Sequence, residues 1–197
     1  GEVFEASKNN AQERYYSVTF DDGLKDQYQN AVPILKRNNA HATFFIITKT
    51  MEGILPAAHK FHAILSRASV LEAIDLWNSF LKKQHPECAN RFYIPKDRRV
   101  VKDRRLYADI PTANIKETFT AAPIVLRDEF LDLVFKKHNL DEAEICASIF
   151  MNQREIKNLA DNGFSIGIHS HSHEPIGALG KEGFHDDFKK SKKWYQD

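Results

Sequence analysis

The segment Ala42–Ile47, ATFFII, shows no polar alternation, so a strand formed here would be apolar on both faces. Such a strand has to be covered on both sides, which is the condition of a parallel sheet flanked by helices. The residues before it supply the partner strand and the crossover. Tyr15, Tyr16, Val18 and Phe20 have strand character, with a first strand expected over Tyr16–Phe20. Asp26–Asn39 reads as a helix that places Tyr28, Val32 and Leu35 on one face. A strand, a helix and a second strand in this order make a βαβ unit. Pro33 lies inside the helical span, where it should kink the first half or confine the regular helix to the second.

Between strand and helix the chain reads TFDDG, two adjacent carboxylates, Asp21 and Asp22, followed by Gly23. Neighbouring like charges repel, and a desolvated pair resists full ionisation unless a cation is close. Gly23 allows a sharp turn, which puts the pair on the rim where a strand becomes a loop. Side chains diverge there, so one carboxylate can hold a metal while the other faces a water. The plainer alternative is Asp22 as a helix N-cap and Asp21 as a solvated turn residue.

A chain of 197 residues with 42% hydrophobic residues can bury one sizeable core, and 28 basic against 27 acidic side chains leave a formal net charge of +1. That balance gives no global attraction to nucleic acid or an anionic membrane, and no nucleic-acid partner is expected. Cys88 and Cys146 are far apart and belong to no CxxC pattern, so neither a thiolate zinc site nor a disulfide framework is indicated; a reducing compartment is compatible, and the localisation is cytoplasmic or unknown. The longest apolar run is too short to span a bilayer, and no targeting segment is legible.

Three parts are expected. Residues 1–50 hold the βαβ unit, 51–150 a mostly helical insertion, and 151–197 the continuation of the first part. Helices in the insertion are expected near Ala57–Arg67, Val70–Lys83 and Asp128–His138. The stretch Pro95–Arg105, PKDRRVVKDRR, holds six basic and two acidic residues and reads as a solvated surface loop. In the third part, Asn152 followed by Glu155 makes a capping box and Gly163 a helix stop, so Asn152–Asn162 is a helix. The strand Phe164–Ile168 follows and runs into HSHSH, three histidines in five residues: His169, His171 and His173.

Three buried imidazoles would each need a polar partner, which argues against their serving as core packing. In an extended segment all three would share a face, and in a helical turn only His169 and His173 would. Either geometry, with a carboxylate added, offers the ligands zinc takes at about 2.0–2.1 Å. Cobalt, manganese or nickel fit the same donors. Asp22 and the histidines both follow parallel strands, so both belong at the carboxyl ends of one sheet, where α/β sites form.

TFDDG and HSHSH resemble the first two motifs of the NodB-homology polysaccharide deacetylases, carbohydrate esterase family 4. The blocks VTFDDGLKDQYQNAVPILKRNNAHATFFI and REIKNLADNGFSIGIHSHSH are similar to that family's strands and helices around the two motifs. The resemblance implies an α/β fold, part of a (β/α) barrel of the polysaccharide deacetylase type. It implies a hydrolase that removes N- or O-linked acetyl groups from a carbohydrate with metal-activated water. Asp21 would be the catalytic base, and Asp22, His169 and His173 the metal ligands. Ser170 would support the loop by hydrogen bonding, and His171 would stay outside the ligand set. The family's late arginine, aspartate–tryptophan and leucine–histidine motifs have no counterpart after His173, so the expectation is an amino-terminal portion of a longer deacetylase. The insertion, a missing carboxyl-terminal segment or an oligomeric partner would then cover the open sheet edge. A metal-dependent hydrolase of a small non-sugar amide, or a non-catalytic metal-containing glycan-binding module, are the other readings of the same residues.

Overall fold

The computed structural model describes residues 16–101 and 108–196. Tyr15 and residues 102–105 of the basic stretch therefore lie outside the described residues. In chain order the elements are β1 (Val18–Phe20), a π-helical turn (Gln27–Ala31), α1 (Val32–Arg37), β2 (Ala42–Ile46) and a 3₁₀ turn (Thr48–Glu52). Then come α2 (Ala57–Leu65), α3 (Val70–Gln84), α4 (Pro86–Phe92), α5 (Ile110–Ala121), α6 (Ile124–Lys137) and α7 (Glu142–Ile149). The described chain closes with α8 (Gln153–Asp161), β3 (Ser165–Ile168) and α9 (Ile176–Gln196), the last interrupted at Gly180. This is a mixed α/β fold with a three-stranded parallel sheet in the order β1-β2-β3.

The backbone divides into two compact units. The first holds the described residues of 1–54, 146–173 and 181–197, and the second holds 55–145 and 174–180.

In the first unit, register pairs Val18 with Ala42 and Phe44 with Ile166, so β2 is central and its side chains pack on both faces. The apolar run that marked this strand in the sequence is what this position requires. Phe44 is fully buried, stacked on Phe20 with centroids 4.8 Å apart and meeting Phe164 edge-on at 5.7 Å. Val32, Leu35, Ile156 and Leu159 close the core from α1 and α8. The capping box at Asn152 and Glu155 is formed in both directions. Pro33 has no N–H to give, so a regular ladder cannot run through it; the turn before it is π-helical and the α-helix starts at Val32. Gly167 sits where a Cβ would lie 2.6 Å from the Phe45 ring, so only glycine lets β3 approach β2 this closely.

In the second unit, Trp77 is buried among Phe80, Phe119 and Phe130, and its indole N–H donates to the Phe92 carbonyl at 2.8 Å. Three helices between residues 55 and 150 were not expected from the sequence: α4, α5 and α7, the last running from the second unit into the first. Helix α6 also starts four residues ahead of the expected Asp128. Proline at the first turns of α4 and α5, with the Asp109 carboxylate accepting from Thr112 N–H at 2.9 Å, explains two of these starts. Asn114 folds the polar segment before α5 back on that helix, donating to Pro95 and Arg98 carbonyls and accepting from Val100 N–H.

Among the described residues no helix is long and apolar enough to cross a membrane.

Candidate metal centre

Both halves of the site lie in the first unit, at the carboxyl ends of β1 and β3 on either side of β2. After Phe20 the chain turns through Asp22 and Gly23, both with left-handed backbones at φ 74° and 78°. A Cβ on Gly23 would meet the Ile46 side chain at 2.9 Å, and its carbonyl accepts from Met151 N–H at 2.9 Å. That turn brings Asp22 back over the strand ends.

On the other side the β2–β3 pairing continues past both strands. His169 N–H donates to Ile46 O at 2.7 Å, Thr48 N–H to Ser170 O at 3.2 Å, and Lys49 N–H to His171 O at 3.1 Å. The histidine segment is neither an extended strand nor a helical turn. Ser170 and His173 adopt left-handed conformations, φ 62° and 61°, and Ser170 Oγ accepts from His173 N–H at 2.9 Å. These reversals turn His169 and His173 toward the same point and send His171 the other way.

Asp22 Oδ1 lies 3.3 Å from Nε2 of His169 and 3.3 Å from Nε2 of His173. The two rings are 5.1 Å apart at 41°, and one ligand atom from each of the three residues falls within 4.8 Å of the others. A tetrahedral ion with bonds of about 2.0–2.1 Å places its donors about 3.4 Å apart. The separations from Asp22 match that spacing and exceed the roughly 2.7–3.2 Å of an N–H···O hydrogen bond. The three side chains are 24%, 34% and 28% exposed, so the point they share is open to solvent. The donor set suits zinc, cobalt, manganese or nickel.

Asp21 is exposed and stands outside this group, with its carbonyl accepting from Gln27 Nε2 at 2.7 Å. His171 is buried, with Nδ1 3.0 Å from Thr48 Oγ1. Burial pushes its pKa down against the pull of Glu52 and, from further along the chain, Asp187.

Asp187, on α9, was not singled out in the sequence. Its buried carboxylate accepts from His171 N–H at 2.8 Å, from Ser172 N–H at 2.7 Å and from the Ser172 hydroxyl. It therefore fixes the backbone between the two converging histidines. Spacing could not reveal it, because an acidic residue between lysines on a helix reads as solvated surface.

Burial raises the Asp187 pKa, but the bonds from Ser172 and His171 outweigh it and hold the carboxyl below the usual carboxylate range. With the folded pKa lowered, the unfolded chain takes up protons first in acid. The stabilisation is complete above the ordinary value of about 4 and is lost as pH falls through the folded one. Asp187→Asn should thus cost most stability at neutral pH. In urea unfolding, the gap between the two proteins should narrow from about pH 5 to about pH 3. A gap that does not change with pH would refute this role.

A carboxylate and two imidazoles thus converge from the ends of β1 and β3, the two strands that flank β2. A model described as polysaccharide deacetylase matches residues 8–74, about a third of the chain. A Bacillus subtilis (strain 168) protein named "Putative polysaccharide deacetylase YxkH" is 42% identical over 50 residues, 25% of this chain. The match spans 16% of that relative's length. No solved structure matches the chain. The matched region contains Asp21 and Asp22, whereas the histidine segment lies beyond it.

Proposed function

We propose that the chain carries the metal and base half of a polysaccharide deacetylase centre, a hydrolase that removes N- or O-linked acetyl groups from a carbohydrate. The observation that supports this reading is the convergence of Asp22, His169 and His173, two of them from outside the matched region, on one solvent-open point, with Asp21 next to Asp22 in the chain. Asp22, His169 and His173 would hold a divalent ion, zinc being the one we propose among those the donor set suits. Such an ion, when bound, lowers the pKa of water and polarises a carbonyl. Asp21, next to Asp22 on the turn and exposed, accepts the proton that the attacking water gives up. The acyl carbon gains the water oxygen, its bond to the sugar nitrogen or oxygen breaks, and that leaving atom takes up one proton. Ser170 holds the His173 backbone, and His171 is engaged by Thr48 rather than by the ion. The (β/α) barrel of the family is the architecture in which we place the three described strands.

Acetate release from an N-acetylglucosamine oligomer tests the reading. Release should occur with zinc, stop with a chelator and return when zinc is restored. A chain that binds zinc and the oligomer but releases no acetate is a glycan-binding module instead.

A further inference from the structure

We propose that Gln27 is a positioning residue for the metal centre, holding the peptide group between Asp21 and Asp22; this rests on the metal-centre reading above. Gln27 opens the π-helical turn and belongs to the same compact unit as the three converging side chains. Its Nε2 donates to the Asp21 carbonyl at 2.7 Å. A carbonyl takes only a donor, so the amide presents its nitrogen here and its oxygen on the other side. That oxygen, Oε1, is closed to solvent and has no hydrogen-bond partner among the described residues. A buried acceptor without a partner costs stability, so the fold gains little from this amide as such. What the amide supplies is a fixed place for the Asp21 carbonyl.

That place matters because the same peptide group sets the backbone of Asp22: turning it changes ψ of Asp21 and φ of Asp22 together. Asp22 has φ 74°, a left-handed backbone that is uncommon outside glycine and lasts where the surroundings hold it. On its amino-terminal side Gln27 holds the Asp21 carbonyl, and on its carboxyl-terminal side Met151 N–H holds the Gly23 carbonyl at 2.9 Å. With the chain held on both sides, Asp22 Oδ1 stays 3.3 Å from Nε2 of each imidazole. The histidine half is tied in the same manner. Ser170 and His173 are left-handed too, and the Asp187 carboxylate holds the N–H groups of His171 and Ser172. Each half of the centre thus has its own clamp, a polar side chain that grips peptide groups beside a ligand. In the sequence Gln27 reads as one more polar position on the helix after the carboxylates.

The test is zinc affinity of the full chain, measured by competition with a zinc-binding dye, alongside the melting temperature in the presence of a chelator. Gln27→Met keeps the length of the side chain and removes both the donor and the unpaired acceptor. Asp21 is exposed, so water can take the vacated carbonyl, and the metal-free melting temperature should stay level or rise. Zinc should nevertheless bind about tenfold more weakly than to the unaltered chain, the lower end of what lost ligand support costs. Affinity within twofold of the unaltered chain would overturn the proposal, and a lowered metal-free melting temperature beside it would mark Gln27 as merely structural. Should Gln27→Met not fold, Gln27→Ala decides by the same two measurements, since alanine suits a helical turn and leaves room for water. An unaltered chain that binds no zinc would instead overturn the metal-centre reading, and this proposal with it.

Discussion

Asp21→Asn should lower the rate of acetate release by about 10²–10⁴-fold while bound metal stays at the level of the unaltered protein. Asparagine keeps the shape of the side chain and an oxygen that accepts hydrogen bonds, but it takes up no proton at neutral pH. Asp21 lies outside the three converging donors, so its loss leaves the ligand set whole. The neighbouring change separates the two carboxylates. Asp22→Asn should weaken metal affinity first, with activity partly recovered at high metal concentration. Rates and metal content measured on both variants give opposite patterns if the roles are as proposed. Full activity of Asp21→Asn in protein shown to deacetylate would return Asp21 to a solvated turn residue.

His173→Ala should remove most of the bound metal while the fold persists, as measured by metal content after dialysis. His173 contributes one of the two imidazoles facing Asp22 Oδ1, and its side chain is partly exposed, so truncation removes a donor without opening the core. His171→Ala is the matched control. His171 faces Thr48 and not the shared point, so its removal should leave metal content near normal. Equal losses in the two variants would mean that all three imidazoles bind, and would sink the arrangement of Asp22 with His169 and His173.

The sheet was legible where burial dictates composition. ATFFII needs cover on both faces, and the structure puts it at the centre of three strands. The capping box of α8 was legible because its two hydrogen bonds are local, spanning three residues. Helix α5 had its own start signal, Asp109 with Pro111, yet it follows a basic stretch whose charge reads as loop, and the strength of that pattern hid the cap. The site was legible as residue types but not as a shape. HSHSH allowed an extended or a helical reading, and the answer depended on the left-handed backbones of Ser170 and His173, which neither periodicity anticipates. Asp187 stayed hidden because its partners, His171 and Ser172, lie on a segment that only the folded chain brings to it.

The sheet order has a consequence for how this molecule comes into being. Strand β1 meets β2 across a short crossover, but β2 meets β3 only after the whole helical region has been made. During synthesis Asp22 leaves the ribosome early and waits with no imidazole to face, since chains emerge amino terminus first. Doubling the length of such an intervening segment adds only about 0.6 kcal/mol of closure entropy, so equilibrium tolerates the interruption. Time does not, because pairing across long sequence separation is slow. The three donors of the proposed metal site can therefore face one another only once β3 and the histidine segment after it have been made.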